Sequence, residues 1–470
     1  MWASTRRTPN RLHLTEKKEV VDMRRKVAAM FIATLMGLGL ITMPAAAAQP
    51  RTAATWSAEC PSTVRCVVVP AAYNDNNGDV TDYGNYDLAN RPTTMAINSI
   101  VIHDTEGSLQ SAIAHFQDST AYVSVQYIVD KDGTVYQMVP NKDMTWHSGN
   151  WWYNMHSIGI EHVGFAADSS SYTPAMYWAS AQLVKYLTAK YNIPRDRGHI
   201  IGHDNVPGTS AVSIIAQHVD PGPFWNWQLY MALIGAPVLP HSDFASGMVT
   251  VAPVWPFSKQ VVTGCTAGSS SCVPQGLQPT NFVYLHTSPD VNAPLVSDPV
   301  LGQGSTEIAN NAARLFYGQT FATIEPPKLD GRGVWYHVWE NGQSGWFYSP
   351  WNAPAAFPAM GQTVTPKPGL TSIPVYGRPI PERSEYPASL IAVPPASWYI
   401  PAQVALPYAI SAGQRYPVID SNVPTDHFYA WASDSSFPYD HTDFTGATKY
   451  IEISLGGRQG FVKVSDVSIQ

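Results

Sequence analysis

The chain has 470 residues, 28 of them Lys or Arg and 35 Asp or Glu, so 13% are charged where an ordinary soluble chain carries about 25%. Hydrophobic residues make up 45%, with 15 Trp and 24 Tyr, which is ample for real cores and excludes a disordered polar chain. The formal charge of -7 argues against a nucleic-acid binder, which needs a basic footprint to replace phosphate counterions.

Arg24, Arg25 and Lys26 precede an apolar run, Val27 to Met43, and a small-residue tract ending in Ala46, Ala47 and Ala48. This is the layout of a secretory signal peptide. The apolar run is at the short limit for a membrane span, so a secreted, extracellular or wall-associated protein with no stable membrane anchor after cleavage is expected. Residues 1–22 are polar and precede a second methionine, Met23, which makes Met23 an alternative start. Removing residues 1–48 takes away eight basic and three acidic residues and moves the net charge from -7 to -12. All four cysteines follow, as Cys60, Cys66, Cys265 and Cys272. An even count in an oxidising compartment reads as disulfides. Of the three connectivities, the local pairs Cys60 with Cys66 and Cys265 with Cys272 are favoured; neither spacing is a C-x-x-C zinc or redox site.

The elements fall in three parts: residues 56–236 mix strands and helices, 237–279 is a Pro/Ser/Gly-rich linker, and short strands follow. Ser99 to Thr105 alternates as a strand, and Ser108 caps a short helix with Ala112, Ile113 and Phe116 on one face. Val123 to Val129 and Thr134 to Val139 are strands around the turn Asp130-Lys131-Asp132-Gly133, a hairpin signal. Ser157 to His162 is another strand. Thr173 and Pro174 start a helix carrying Tyr177, Ala181, Val184, Leu187 and Tyr191, which Pro194 stops; a brief strand ends near His203. The interleaving predicts an α/β fold, a mixed central β-sheet flanked by helices. Farther on, YGQTFATI (Tyr317 to Ile324) is similar to AGQRYPVI (Ala412 to Ile419), and NGQSGWF (Asn341 to Phe347) to GGRQGFV (Gly456 to Val462). Two copies of such a unit suggest two small all-β barrels, at 280–353 and 370–470, the second divergent with a long insertion from about Asp420 to Thr448.

Several histidines sit at the ends of expected strands beside acids and glycines, where an α/β sheet places its ligand site. His199 and His203 are four apart, but Pro194, Gly198 and Gly202 argue for a strand, in which four residues span about 13 Å. Metal ligands lie about 2 Å from zinc, so only one of the two can bind it; His203 at the strand end is favoured and His199 is structural. His103 ends another strand and Asp220 follows a loop. Two His and one carboxylate leave a position open for water, the ligand count of a catalytic zinc site. Glu161, at a further strand end, is placed to act as general base.

These residues lie in a series of motifs: IVIHDTEGS (Ile100 to Ser108), QYIVDKDGTVYQMV (Gln126 to Val139), WHSGN (Trp146 to Asn150), SIGIEHVG (Ser157 to Gly164), IPRDRGHIIGHDNVPG (Ile193 to Gly208) and HVDPGPFWNW (His218 to Trp227). Together they resemble type 2 N-acetylmuramoyl-L-alanine amidases, which share a fold with peptidoglycan recognition proteins. The resemblance covers about 150 residues and implies a zinc hydrolase that cuts the amide between the lactyl group of N-acetylmuramic acid and the first L-Ala of peptidoglycan. It implies one zinc ion per catalytic domain, with His103, His203 and Asp220 as ligands and Glu161 as acid/base. Many relatives have Lys where this chain has His218, which as a cation would stabilise the oxyanion. Some phage members use a Tyr where this chain has Val125. Trp146, His147, Asn150 and Trp151 are expected to line the substrate groove. The C-terminal repeats resemble bacterial SH3-like modules, which implies wall targeting. The alternative reading is a non-catalytic peptidoglycan-binding recognition protein; such proteins typically lack the third ligand, and the presence of Asp220 favours catalysis.

Overall fold

The computed structural model describes residues 56–240, 247–265, 272–391, 401–430, 432–433 and 441–470; the expected signal peptide lies outside them. The first half is built on a mixed sheet of six strands: β1 (Cys66–Val68), β2 (Ser99–Ile102), β3 (Tyr127–Val129), β4 (Val135–Gln137), β5 (Ser157–His162) and β6 (Ile200–Gly202), in the order β1-β4-β3-β5-β2-β6. The central strands read SIVI, SIGIEH and IIG and are buried almost throughout, as continuous apolar runs are when both sheet faces are covered. β2 runs parallel to β5 and β6 and β5 parallel to β3. β3 and β4 form the antiparallel hairpin expected around Asp130–Gly133. The turn requires a glycine: Gly133 has φ +85°, and a Cβ there would lie 3.0 Å from the Ala175 carbonyl oxygen. A Cys60–Cys66 disulfide ties the chain entering β1.

Helix α1 (Leu109–Phe116) starts where Ser108 accepts a hydrogen bond from the Ser111 amide, and buries Leu109, Ala112 and Phe116. The short α2 (Trp151–His156) is capped by Asn150. α3 (Pro174–Tyr191) is capped by Thr173 and ends at Asn192 in the left-handed conformation, two residues before Pro194. α4 (Ala211–Ala216) is short. α5 (Trp227–Ile234) packs on α3, with the Tyr230 hydroxyl 2.7 Å from Ser180 Oγ. Among the described residues no helix is long and apolar enough to cross a membrane.

Residues 237–279, expected as a linker, contain strands β7 (Met248–Val251), β8 (Lys259–Cys265) and β9 (Cys272–Pro279). β7 pairs on both sides, with β10 (Thr320–Ala322) and with β13 (Ala356–Pro358), the last two flanking the long hairpin β11 (Gly333–Glu340) and β12 (Gln343–Pro350). The stretch cannot be a bare connector because Val249 and Val251 are buried with Phe321, Val338 and Phe347; only three apolar residues around Thr250, in Pro- and Gly-rich surroundings, mark that strand. The backbones of Cys265 and Cys272 face each other across β8 and β9, while their side chains, and so the expected second disulfide, lie outside the described residues. The last part is a seven-stranded sheet made of β14 (Thr363–Pro366), β15 (Ser372–Tyr376), β16 (Ala405–Ser411), β17 (Tyr416–Asp420), β20 (Tyr450–Ser454), β21 (Gln459–Lys463) and β22 (Val467–Ile469), in the order β16-β15-β21-β20-β17-β14-β22. The two β-rich units therefore take in strands outside 280–353 and 370–470, and the insertion forms its own hairpin, β18 (Asp426–Ala430) with β19 (His441–Thr445).

The repeated "GQ" has a structural cause. Gln319 accepts from the Phe316 amide and donates to the carbonyls of Gly456 and Gly457 at the β20–β21 turn. Gln414 accepts from the Ser411 amide and donates to the carbonyl of Gly342 at the β11–β12 turn. Each copy thus satisfies the hairpin tip of the other.

The second half shares a core with the first: Val101, Trp152, Tyr153 and Ile201 pack with Tyr376, Tyr450 and Phe461. In this interface the Tyr153 hydroxyl lies 2.6 Å from Glu452 Oε1 and 2.5 Å from Gln459 Oε1, and the Gln459 amide nitrogen is committed to the Gly198 carbonyl. One tyrosine proton cannot serve two acceptors, and a protonated Glu452 donating to the tyrosine oxygen satisfies both contacts; burial favours that form by raising the Glu452 pKa to about 7. The folded state then holds a proton that the unfolded chain releases near pH 4.3. This interface is at full strength below that pH and weakens as pH rises toward about 7, because stability falls wherever the native state binds more protons. Melting curves from pH 4.5 upward should show this slope, and Glu452→Gln, whose amide donates at every pH, should flatten it.

Candidate metal centre and its surroundings

β6, β2 and β5 are adjacent and parallel, with Ile102 in register with both Gly202 and Ile160. The next residue on each strand is therefore His203, His103 or Glu161, so three functional side chains emerge in one row at the carboxyl edge of the sheet, where open α/β sheets bind ligands. Asp220 reaches the same place from the loop after α4: Asp204 N donates to the Asp220 carbonyl at 2.8 Å. His103, His203 and Asp220 are all buried and offer ligand atoms within 4.8 Å of one another.

The hydrogen bonds decide which imidazole nitrogens are free. The Ser148 carbonyl can only accept, so His203 carries its proton on Nε2, 3.0 Å away, leaving Nδ1 bare. The Ser157 hydroxyl donates to the Tyr153 carbonyl and so accepts from His147 Nε2 at 3.1 Å. His147 Nδ1 then accepts from His103 Nε2 at 2.9 Å, which leaves His103 Nδ1 bare as well. Both bare nitrogens face Asp220, at 3.1 Å from Oδ2 and 3.2 Å from Oδ1, and His203 Nδ1 has no hydrogen-bond donor of its own. Two neutral imidazole lone pairs and a carboxylate aimed at one point fit a divalent cation of the zinc type, and partners on the far ring nitrogen are what hold metal-binding imidazoles in place.

Electrostatics agree with that fit. Burial pushes His203 down to about 4 and His147 well below its usual range, so both are neutral at pH 7. Burial alone would raise Asp220, but the imidazoles of His203, His103 and His218 that surround it hold it well below the carboxylate range. Glu161 is the opposite case. Burial first, then the carboxylates of Asp220, Asp104 and Glu106, push its pKa well up, and its enclosed Oε2 has no partner. His218 lies at the rim, 59% exposed, with Nδ1 3.6 Å from Asp220 Oδ1, and that carboxylate raises its pKa.

His199 turns away to Asp196 at 2.8 Å, as expected of a structural residue. The four residues expected to line the groove separate. His147 supports His103, and Asn150 is buried, its amide donating to the carbonyls of Pro207 at 3.0 Å and Gly377 at 2.8 Å; a side chain with both ends committed offers nothing to a substrate. Trp146 and Trp151 line a cleft. Val125 is fully buried against Gly159.

Sequence reasoning missed the outer supports. Asp104 accepts from the Tyr172 hydroxyl at 2.6 Å while its own amide lies 3.3 Å from Asp220 Oδ2. Arg458, in the β20–β21 turn, donates to the carbonyls of His203 at 3.3 Å, Val206 at 2.6 Å and His218 at 3.0 Å. One guanidinium from the far end of the chain ties together two of the three segments that carry cation ligands. Arg458→Ala should lower cation affinity and turnover by about 10- to 100-fold, as loss of outer-shell partners does. Arg458→Lys should rescue little, because one ammonium cannot reproduce the planar fork; zinc competition titrations with turnover assays measure both.

A family model described as N-acetylmuramoyl-L-alanine amidase matches residues 93–223. The chain is 34% identical over 161 residues to N-acetylmuramoyl-L-alanine amidase A of Achromobacter lyticus, which spans 32% of this chain and 88% of the relative. It is 32% identical over 128 residues to the 1,6-anhydro-N-acetylmuramyl-L-alanine amidase AmpD of Salmonella typhimurium, covering 26% of this chain and 60% of the relative's length. Among solved structures it is similar to AmpDh3 of Pseudomonas aeruginosa in complex with anhydromuramic pentapeptide, with 22% identity, 33% of this chain and 66% of that one covered, and a TM-score of 0.26.

Proposed function

The chain belongs to the N-acetylmuramoyl-L-alanine amidase family, and from this we propose that it is a secreted hydrolase whose single zinc ion is held by His103, His203 and Asp220. The bond cut is the amide between the lactyl group of N-acetylmuramic acid and the stem's L-Ala. The observation that carries the reading is the pair of bare Nδ1 lone pairs aimed, with Asp220, at one point. When bound, zinc supplies a Lewis acid for the scissile carbonyl and lowers the pKa of water toward about 7. The chain's own residues do the rest. Glu161, as the carboxylate that a nearby divalent charge favours, takes a proton from the attacking water, and its buried surroundings, which raise its pKa, help it hand that proton to the alanine nitrogen. His218, whose pKa the neighbouring Asp220 raises, offers in its protonated form a hydrogen bond to the developing oxyanion from the rim. The catalytic domain spans 56–236, and the C-terminal units act as SH3-like modules that hold the enzyme on peptidoglycan. The presence of Asp220 sets this reading above that of a recognition protein that binds without cutting.

Mass spectrometry of digested peptidoglycan tests it. Free lactyl-muramic glycan and intact stem peptides with amino-terminal L-Ala are the expected products; tight binding with no product, or cleavage within the stem, would overturn it.

A further inference from the structure

His203 and Asp220 are carried by one stretch of chain, and the C-terminal half closes over it with more than the Arg458 fork. Asn205, buried two residues after His203, donates to the Gly457 carbonyl at 2.9 Å and accepts from the Gly202 amide at 3.1 Å and from Arg197 at 2.9 Å. Arg197 in turn donates to the Tyr317 carbonyl at 3.0 Å, and Gln319 reaches the same Gly457 carbonyl at 3.0 Å. Gln459 covers the start of the stretch by donating to the Gly198 carbonyl at 2.7 Å. Farther along, the two backbones touch: a Cβ on Gly377, which follows β15, would lie 2.0 Å from the Gly208 carbonyl oxygen. Both β-rich units thus join one bonded network around the ligand-bearing stretch, and the described residues fall within one compact unit.

Attachment to a wall needs none of these contacts, and a module on a flexible tether would make none. Their common effect is on position. Irregular chain that carries two of three ligands must be held to within about 0.5 Å for the donors to converge. Here the holding groups come from the turn between β20 and β21 and from the residue after β15, because the carbonyls of Gly198, His203, Val206 and His218 all find their donors there. Without the docked sheet those carbonyls would turn to water, and the stretch would lose the fixed path that aims His203 and Asp220 at one point. We propose that the seven-stranded sheet is a working part of the metal centre: its docking onto residues 198–220 positions two ligands, so cation binding and docking favour each other. The inference rests on the zinc reading and gives the C-terminal half a role other than wall attachment, with Asn205, Gln459 and Arg458 as positioning residues. Such a linkage is reciprocal, since whatever factor docking adds to cation affinity the cation must add to docking.

Hydrogen exchange of the full chain with and without zinc, read peptide by peptide, tests one direction. With zinc at about 100 times its Kd, amides that open together with the centre should exchange up to about 100-fold more slowly. The slowing should reach β20 and β21, which hold no ligand, as well as β2 and β6, which run into His103 and His203. Slowing confined to β2 and β6 would overturn the proposal and leave the zinc reading standing. No slowing anywhere, with no zinc found by metal analysis, would overturn the zinc reading and the proposal with it. Gly377→Ala tests the other direction. Its methyl meets the Gly208 backbone and touches no ligand, so it should loosen the sheet and lower zinc affinity by about 5- to 150-fold, the usual range of such coupling, in a competition titration. Faster exchange in β20 and β21 with zinc affinity unchanged would overturn the proposal. If that variant does not fold, the zinc-dependent exchange of the unaltered chain decides alone.

Discussion

His203→Ala should abolish amidase activity, by at least about 10³-fold, because the cation's charge stabilisation is worth several kcal/mol and each 1.36 kcal/mol is tenfold in rate. The substitution removes one of two bare Nδ1 atoms and leaves His103 and Asp220 in place, so zinc loses an inner ligand while the supporting chain from His103 through His147 to Ser157 is untouched. A chelator should give the same loss in the unaltered protein, reversibly. Zinc should also raise the melting temperature of the unaltered protein, since a ligand that binds only the native state stabilises it, and should do so much less for His203→Ala. The pH dependence has a definite sign. Binding needs neutral imidazoles, and burial takes His203 down to about 4, so zinc affinity should not fall from His203 protonation until pH approaches that value. Metal analysis, activity and melting on one preparation check all of these; full activity in metal-free protein would overturn the zinc reading.

The centre was legible because its parts lie at the ends of short apolar strands, a local pattern. SIVIH, SIGIE and IIGH each announce a buried strand followed by one polar side chain, and parallel pairing in register brings those three side chains into a row. What was not legible depends on long-range contacts. Nothing in GGRQG marks Arg458 as a partner of carbonyls some 240 to 255 positions earlier. The same holds for the linker: MVTV is too short to stand out until β10 and β13 are seen on either side of it. The bonding of Asn150 and His147 is hidden for a related reason. A polar residue in a loop after a hairpin suggests exposure, and only the fold shows that one amide spans Pro207 and Gly377 and that one imidazole fixes the tautomer of a ligand.

Glu161→Gln separates the proton carrier from the cation ligands. Turnover should fall by about 10²- to 10⁴-fold, the usual contribution of general acid-base catalysis, while zinc content stays that of the unaltered chain. The expected effect on stability goes the other way. Burial and the carboxylates of Asp220, Asp104 and Glu106 raise Glu161, so in the metal-free protein the native state keeps a proton that the unfolded chain loses near pH 4.3. Native stability therefore declines as pH rises from that value toward the raised pKa. Glutamine carries no such charge, and with Oε2 already lacking a partner the substitution breaks no hydrogen bond at that atom. Metal-free Glu161→Gln should thus melt no lower than the unaltered chain at pH 7, with a shallower decline above pH 5. Bound zinc should narrow the difference, since a nearby divalent charge favours the carboxylate. A residue with a purely structural role would lose activity and stability together, so an inactive variant that retains zinc and melts at least as high assigns Glu161 to proton transfer.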